Sequence, residues 1–163
     1  MRWRLPFDPD GVTDAGRCAD VVCLVRADGT LVVDPATGRQ QRLAGEWSPV
    51  VTVGRRWLAV RGHRERETYA LLDRADGRVV AELGPWRLIT DDVPDGPGAG
   101  RPLLVSRELA GGRQLLGELD PATGEVRIRD VFAGGWRDCS HQAGRTLVCW
   151  RPTGQFGVWR LPS

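Results

Sequence analysis

The stretch Asp34-Pro35-Ala36-Thr37-Gly38 decides the fold, because two further copies of it follow along the chain. They are Asp73-Arg74-Ala75-Asp76-Gly77 and Asp120-Pro121-Ala122-Thr123-Gly124, and the closing glycines lie 39 and 47 residues apart. Each copy follows an apolar run and suits a tight turn: Asp bonds its own backbone, Gly accepts a positive φ and, in the first and third copies, Pro presets φ. The recurrence predicts a repeated structural unit.

Two further series repeat in step with these turns. Short apolar runs that end in arginine occupy residues 22–26, 57–61, 103–107 and 147–151. A tryptophan opens each later unit, at Trp47, Trp86 and Trp136. Apolar runs of four or five residues between turn signals predict buried strands, and the tryptophans are expected mainly to pack in the core.

The repeats predict an all-β fold, a β-propeller of about four blades, each a four-stranded antiparallel sheet. In the clearest unit, strands are expected over residues 49–53, 57–60, 68–72 and 78–83, and no segment has sustained helical periodicity. Four short strands in about 40–50 residues are the signature of a propeller blade. The units of this one propeller-like domain, 1–163, are about 1–46, 47–85, 86–135 and 136–163. A generic sandwich or barrel is the alternative, but neither requires the repeats to recur in phase.

The two ends of the chain suggest how the propeller closes. Residues 156–161 suit a third strand of the last blade, and residues 2–5 suit a lone fourth strand. If these segments pair, the chain forms a closed four-bladed ring. The alternative is half of a larger propeller.

The repeated pattern resembles the pyrroloquinoline-quinone-like (quinoprotein-type) propeller repeat. It consists of an apolar strand, the turn Asp-Pro-Ala-Thr-Gly and a strand that leads to Trp. That repeat is common in exported and membrane-anchored actinobacterial proteins, and the composition agrees, since all 23 basic residues are Arg. Quinoprotein dehydrogenases of this type carry the quinone and a calcium ion on Asp, Asn and Glu ligands. This chain is much shorter and has no Asn. The resemblance therefore assigns no cofactor and no metal to any residue here.

Charge and hydropathy exclude several partners. The 23 basic and 21 acidic residues nearly balance, which gives no broad attraction to nucleic acid or anionic lipid. No window of eighteen apolar residues could span a membrane, and the start lacks the apolar core of a signal peptide. If the protein is exported, the signal or anchor is expected in a segment that this chain does not include.

The four cysteines predict two disulfides, Cys18–Cys23 and Cys139–Cys149. When the arginine-ended strands are superimposed, Cys23 and Cys149 fall within one position of each other, and Cys18 and Cys139 both lie upstream, where the first strand turns into the second. Neighbouring antiparallel strands bring Cα atoms to about 4.5–5.5 Å, within disulfide range. Two such pairs indicate an oxidising, extracytoplasmic compartment. Free thiols in a cytoplasmic protein are the alternative, and the spacing fits a zinc site poorly.

Few residues suggest chemistry. His63 lies in a charged loop, and Asp138, Ser140 and His141 cannot form a triad because adjacent strand residues point to opposite faces. The loop at 91–100 lacks EF-hand spacing. Long propeller loops often carry binding, so its acidic residues are the candidate partner contact: Asp91, Asp92 and Asp95. No catalytic, cofactor-binding or metal-binding residue is predicted.

The sequence therefore predicts a non-catalytic scaffold or binding module outside the cytoplasm. Its loop face would engage an unidentified protein, a small ligand or the rest of a larger chain. Two alternatives stay open. One is a fragment of a quinoprotein-like enzyme whose cofactor ligands lie elsewhere, and the other is a structural repeat that closes as a homodimer.

Overall fold

Fifteen short strands form four antiparallel sheets in a computed structural model that describes residues 10–62, 67–89, 102–132, 137–142, 146–150 and 153–160. No helix occurs in these ranges. The chain divides into two compact units, and each contains two of the sheets.

The first unit contains two four-stranded sheets whose strands pair in sequence order. The first sheet comprises β1 Val12–Cys18, β2 Val21–Arg26, β3 Gly29–Val33 and β4 Gln40–Ala44. The second comprises β5 Ser48–Val53, β6 Arg56–Arg61, β7 Thr68–Asp73 and β8 Val79–Gly84. These last four bounds agree to within two residues with the strands expected from the sequence.

The second unit contains the other two sheets. Its four-stranded sheet comprises β9 Arg87–Leu88, β10 Leu103–Glu108, β11 Gln114–Leu119 and β12 Val126–Phe132. The last sheet comprises, among the described residues, β13 Arg137–Gln142, β14 Thr146–Trp150 and β15 Phe156–Arg160. Residues 2–5, predicted to complete it, lie outside the described ranges, so ring closure stays a prediction.

The three repeated turns connect the third and fourth strands of their sheets and share one geometry. In each, the glycine N–H donates to the aspartate carbonyl oxygen at 2.8 Å, and the aspartate N–H donates to a carbonyl oxygen five residues later at 2.9 Å. The alanine N–H donates to the aspartate Oδ1 at 2.7 to 2.9 Å. The glycines have φ of +72° to +80°, which a side chain disfavours. Residue choice in the repeat is therefore explained by local backbone geometry.

The core of the first unit is formed by inward-facing residues of both its sheets. The fully or nearly buried members include Cys23, Leu43, Trp47, Trp57 and Leu72. Such burial is the main stabilising contribution, at about 1.5–3 kcal/mol for a large apolar side chain. Two neighbouring sheets thus share one core, which fixes the turns at their ends relative to one another.

The second unit also contains a buried apolar cluster. Its members among the described residues include Ile89, Leu104, Leu116, Leu147 and Cys149. Phe132 and Trp159 pack against this core, with their ring centroids 5.4 Å apart.

Two arginines stack on the tryptophans that open their units. The guanidinium carbon of Arg61 lies 4.6 Å from the Trp47 ring centroid, and that of Arg107 lies 5.7 Å from the Trp86 centroid. Two of the repeated series in the sequence therefore meet as cation–π pairs.

Candidate functional site

A pocket of about 540 Å³ lies among the turns of the first unit and is called here the turn pocket. Four turns contribute, at residues 19–20, 34–39, 54–55 and 74–78, which connect β1 to β2, β3 to β4, β5 to β6 and β7 to β8. Each of these turns connects an odd-numbered strand to the even-numbered strand that follows it. Because neighbouring strands run in opposite directions, all four turns lie at the same end of the two sheets. The volume is in the range of small-molecule sites in proteins.

Asp20 is the centre of the hydrogen bonding beside this pocket. Its Oδ1 accepts from Thr52 Oγ1 at 2.5 Å and from Trp57 Nε1 at 3.2 Å. Its Oδ2 accepts from Arg74 Nη2 at 2.5 Å. The first sheet supplies the carboxylate and the second supplies all three donors, so Asp20 ties the two sheets together.

Arg74 lies across the buried Trp57. Its guanidinium carbon is 5.6 Å from the Trp57 ring centroid, and its Nη1 donates to the Gly54 carbonyl oxygen at 3.4 Å. The Asp20 ion pair, the stacking and this contact hold the guanidinium from three sides. Arg74 therefore acts as a fixed part of the pocket wall.

The other two pocket carboxylates belong to the repeated turns. The backbone N–H of Ala36, with further hydrogen bonds from Thr37, holds the pKa of Asp34 below its ordinary value. The backbone N–H of Ala75 and the ion pair with Arg56 lower the pKa of Asp73. Both side chains are therefore ionised near neutral pH and do not store a proton for general acid catalysis.

Arg39 and Arg55 are the exposed basic residues of the pocket lining. Within the described ranges, no carboxylate lies within 4.0 Å of either guanidinium group. Both side chains can therefore donate hydrogen bonds to a ligand.

The cysteines come together in the predicted pairs. The Cα atoms of Cys18 and Cys23 are 5.8 Å apart, those of Cys139 and Cys149 are 3.9 Å apart, and both pairs lie at disulfide distance. The first pair brackets the β1–β2 turn that carries Asp20, and Cys23 is buried in the same core as Trp57. This link therefore bears directly on the position of Asp20.

Several residues singled out in the sequence lie elsewhere. Asp91, Asp92, Asp95 and His63 fall outside the described residues. Asp138, Ser140 and His141 lie on β13. In the described ranges, no three His, Cys, Asp or Glu side chains are grouped so that they could hold a metal ion. No helix in the same ranges is long and apolar enough to cross a membrane.

Sequence reasoning missed the turn pocket, although one signal was present. The second copy of the turn has Arg74 where the other two copies have Pro35 and Pro121. A proline suits that turn position, so its replacement by arginine indicates a role for the side chain. The structure shows that role in the contacts with Asp20, Trp57 and Gly54.

No protein-family model and no curated protein matches this chain. Solved structures do. The computationally designed Ika4 protein is 17% identical, with a TM-score of 0.55 over 98% of this chain and 96% of Ika4. BamB from Moraxella catarrhalis is 16% identical, with a TM-score of 0.55 over 86% of this chain and 43% of BamB. The N-terminal domain of Nup159 is 10% identical, with a TM-score of 0.50 over 85% of this chain and 38% of that domain.

These similarities establish the fold class. Ika4 and BamB are β-propellers, and the sheets described above have the sequential antiparallel order of propeller blades. The predicted all-β propeller of about four blades is therefore confirmed. The chain spans less than half of the BamB and Nup159 structures, and at such low identity the likeness concerns the fold alone.

Proposed function

We propose that this chain is a non-catalytic binding module of the pyrroloquinoline-quinone-like, actinobacterial propeller type. It acts outside the cytoplasm and holds a small ligand or a segment of a protein partner in the turn pocket. The observation that carries the proposal is the pocket itself, whose walls are fixed by the Asp20, Trp57 and Arg74 contacts. A preorganised pocket loses little entropy when a ligand binds, which favours a recognition role.

The chemistry of the pocket supports binding over catalysis. Asp20 is engaged by three donors, and Asp34 and Asp73 by backbone N–H groups. A general base needs a free lone pair and a pKa near the working pH, and lowered pKa values move Asp34 and Asp73 away from it. Among the described residues of the pocket lining there is no Ser, Cys, His or Lys that could act as a nucleophile.

The two cysteine pairs support the extracytoplasmic assignment. Both lie at disulfide distance, and the part of the chain that the structure describes contains no unpaired cysteine. Disulfides persist in oxidising compartments and are rare in the cytosol. We further propose that Asp91, Asp92 and Asp95 form a second contact for a protein partner, since long loops commonly extend a binding surface.

Site-specific photocrosslinking in cells of the source organism tests the binding function. A photoreactive amino acid replaces Ala36 in the pocket lining, or Ala122 at the same place in the identical Asp-Pro-Ala-Thr-Gly turn of the third sheet. Both alanines are exposed and contribute only a backbone N–H to their turns, so both variants are expected to fold. The expected result is an adduct at position 36 and none at position 122. Equal labelling at both positions, or none at either, would overturn the proposal.

One observation favours a second candidate, a structural repeat that closes as a homodimer. Phe156 and Val158 on β15 are 70% and 67% exposed, which is unusual for large apolar residues of a strand. Antiparallel pairing of two β15 strands about Val158 would place Phe156 opposite Arg160 of the second copy, a favourable cation–π contact. Light scattering separates the candidates: a mass of one chain at high concentration eliminates the dimer.

A further inference from the structure

We infer that the turn pocket binds an oxyanion, a carboxylate or phosphate group, through Arg39 and Arg55; this rests on the proposed binding function and specifies its ligand. The described residues of the pocket lining include three aspartates and three arginines, so their formal charge balances. The sign of the preferred ligand therefore depends on which of these groups already have partners.

The aspartates are already compensated. Asp20 accepts from Arg74, Trp57 and Thr52. Asp34 accepts two backbone N–H groups, and Asp73 accepts one backbone N–H and pairs with Arg56, which lies outside the pocket lining. A cationic ligand would have to displace these donors.

The arginines divide differently. Arg74 is held by Asp20 and Gly54, whereas Arg39 and Arg55 have no carboxylate within 4.0 Å among the described residues. Arg55 lowers the Asp73 pKa as the last of five causes, after the Ala75 N–H and Arg56. The available charge of the pocket is therefore positive.

The guanidinium fork defines the chemical class. Its parallel N–H groups match two oxygens of a carboxylate or a phosphate, and such charge-assisted pairs are about twice as strong as neutral hydrogen bonds. The two available arginines come from different sheets, Arg39 from the β3–β4 turn and Arg55 from the β5–β6 turn. The same turns also contribute the small side chains of Ala36 and Ala75 to the pocket lining.

Nuclear magnetic resonance of the arginine Nε–H groups tests the inference on the full chain. Sodium phosphate and sodium acetate are titrated separately, and sodium chloride keeps the ionic strength constant. The Arg39 and Arg55 signals, assigned by their loss in Arg39→Gln and Arg55→Gln, are expected to shift and to saturate. In Arg55→Gln the affinity measured at Arg39 is expected to fall about tenfold, because one charge-assisted contact is lost. Saturation by phosphate alone or by acetate alone identifies which oxyanion the pocket prefers.

Arg78 supplies the matched control. It follows the turn glycine of the second sheet as Arg39 does in the first, but it does not line the pocket. Arg78→Gln is expected to leave both affinities unchanged.

No saturation with either salt, or equal shifts at Arg78 and Arg55, would overturn the inference. Capture of a neutral or cationic ligand at position 36 in the photocrosslinking experiment would also overturn the oxyanion inference, but it would support the binding function. Saturable phosphate binding without any adduct would support the oxyanion site and would contradict only the claim that the pocket captures a ligand in the cell.

Discussion

Arg74 Nη2 donates to Asp20 Oδ2 across 2.5 Å and joins two turns that are 54 residues apart in the sequence. Asp20 belongs to the first sheet and Arg74 to the second, and the buried Trp57 ring contacts both through its N–H and its face. One ion pair therefore helps to set both the junction of two sheets and one wall of the turn pocket.

A double-mutant cycle on Asp20→Ala and Arg74→Ala measures this link. Asp20→Ala is expected to reduce the free energy of unfolding by about 1–3 kcal/mol, since it leaves the buried Trp57 N–H without an acceptor. The coupling energy of the pair is expected to be about 0.5–1 kcal/mol, because both side chains are partly exposed. Urea denaturation of the four proteins gives these values.

The ion pair of Asp28 and Arg42 is the control. It lies within the first sheet, and its side chains are more exposed than those of Asp20 and Arg74. Their coupling energy is expected to be smaller. Equal coupling in the two pairs would mean that Asp20 and Arg74 contribute nothing special to the junction.

Gly77→Ala tests how closely the second sheet approaches the first. A Cβ atom at Gly77 would lie 2.5 Å from Leu43 Cδ2, and Leu43 is fully buried. Gly111 has a similarly positive φ with open space around it, so Gly111→Ala measures the backbone strain alone. Gly77→Ala is expected to lose about 1–3 kcal/mol more of unfolding free energy than Gly111→Ala, which is the typical cost of overpacking. Equal losses would show that the two sheets are not in contact at this glycine.

Acid is expected to destabilise the protein through the turn aspartates. The pKa values of Asp34 and Asp73 are lowered mainly by backbone N–H donors that favour the ionised carboxylate. Their contribution to stability is therefore fully present above the unfolded pKa of about 4 and is lost as the pH falls through the folded values. The urea midpoint should stay level from about pH 7 to about pH 5 and fall below about pH 4.

The double variant Asp34→Asn and Asp73→Asn retains an Oδ1 acceptor but does not titrate. Its acid loss should be shallower than that of the natural chain. Superimposable pH profiles of the two proteins would contradict this assignment.

Alkylation without reduction tests the cysteine pairs. If both disulfides form, the purified protein gains no alkyl group until a reductant is added, and mass spectrometry reads this directly. Reduction is expected to cost about 2–3 kcal/mol of stability per short loop in the chain-entropy model. Four alkyl groups on the unreduced protein would exclude both disulfides and remove the main support for an oxidising compartment.

The sequence predicts the blades well because their determinants are local. The three Asp-to-Gly turns each form from the residues of one short stretch, and the neighbouring apolar runs become β2, β6, β10 and β14. Cys18 and Cys23 could be paired in the same way, since both flank one hairpin turn.

The turn pocket could not be predicted in this way. Asp20 and Arg74 meet only because two complete sheets pack on a shared core, and no local pattern gives the relative position of their turns. The stacking of Arg61 on Trp47 was also not predicted from the repeats, because the two residues belong to different repeated series. Arg74 in place of a turn proline was a visible departure from the repeat.

The claim that the turn pocket holds the ligand is tested most directly by a substitution that fills the pocket with a large side chain. The compound or peptide captured at position 36 is titrated, by calorimetry, against the natural chain, Ala36→Trp and the matched Ala122→Trp. The account predicts at least about tenfold weaker binding for Ala36→Trp, because an indole occupies the pocket, and unchanged binding for Ala122→Trp. Binding by Ala36→Trp as tight as that of the natural chain would contradict the account.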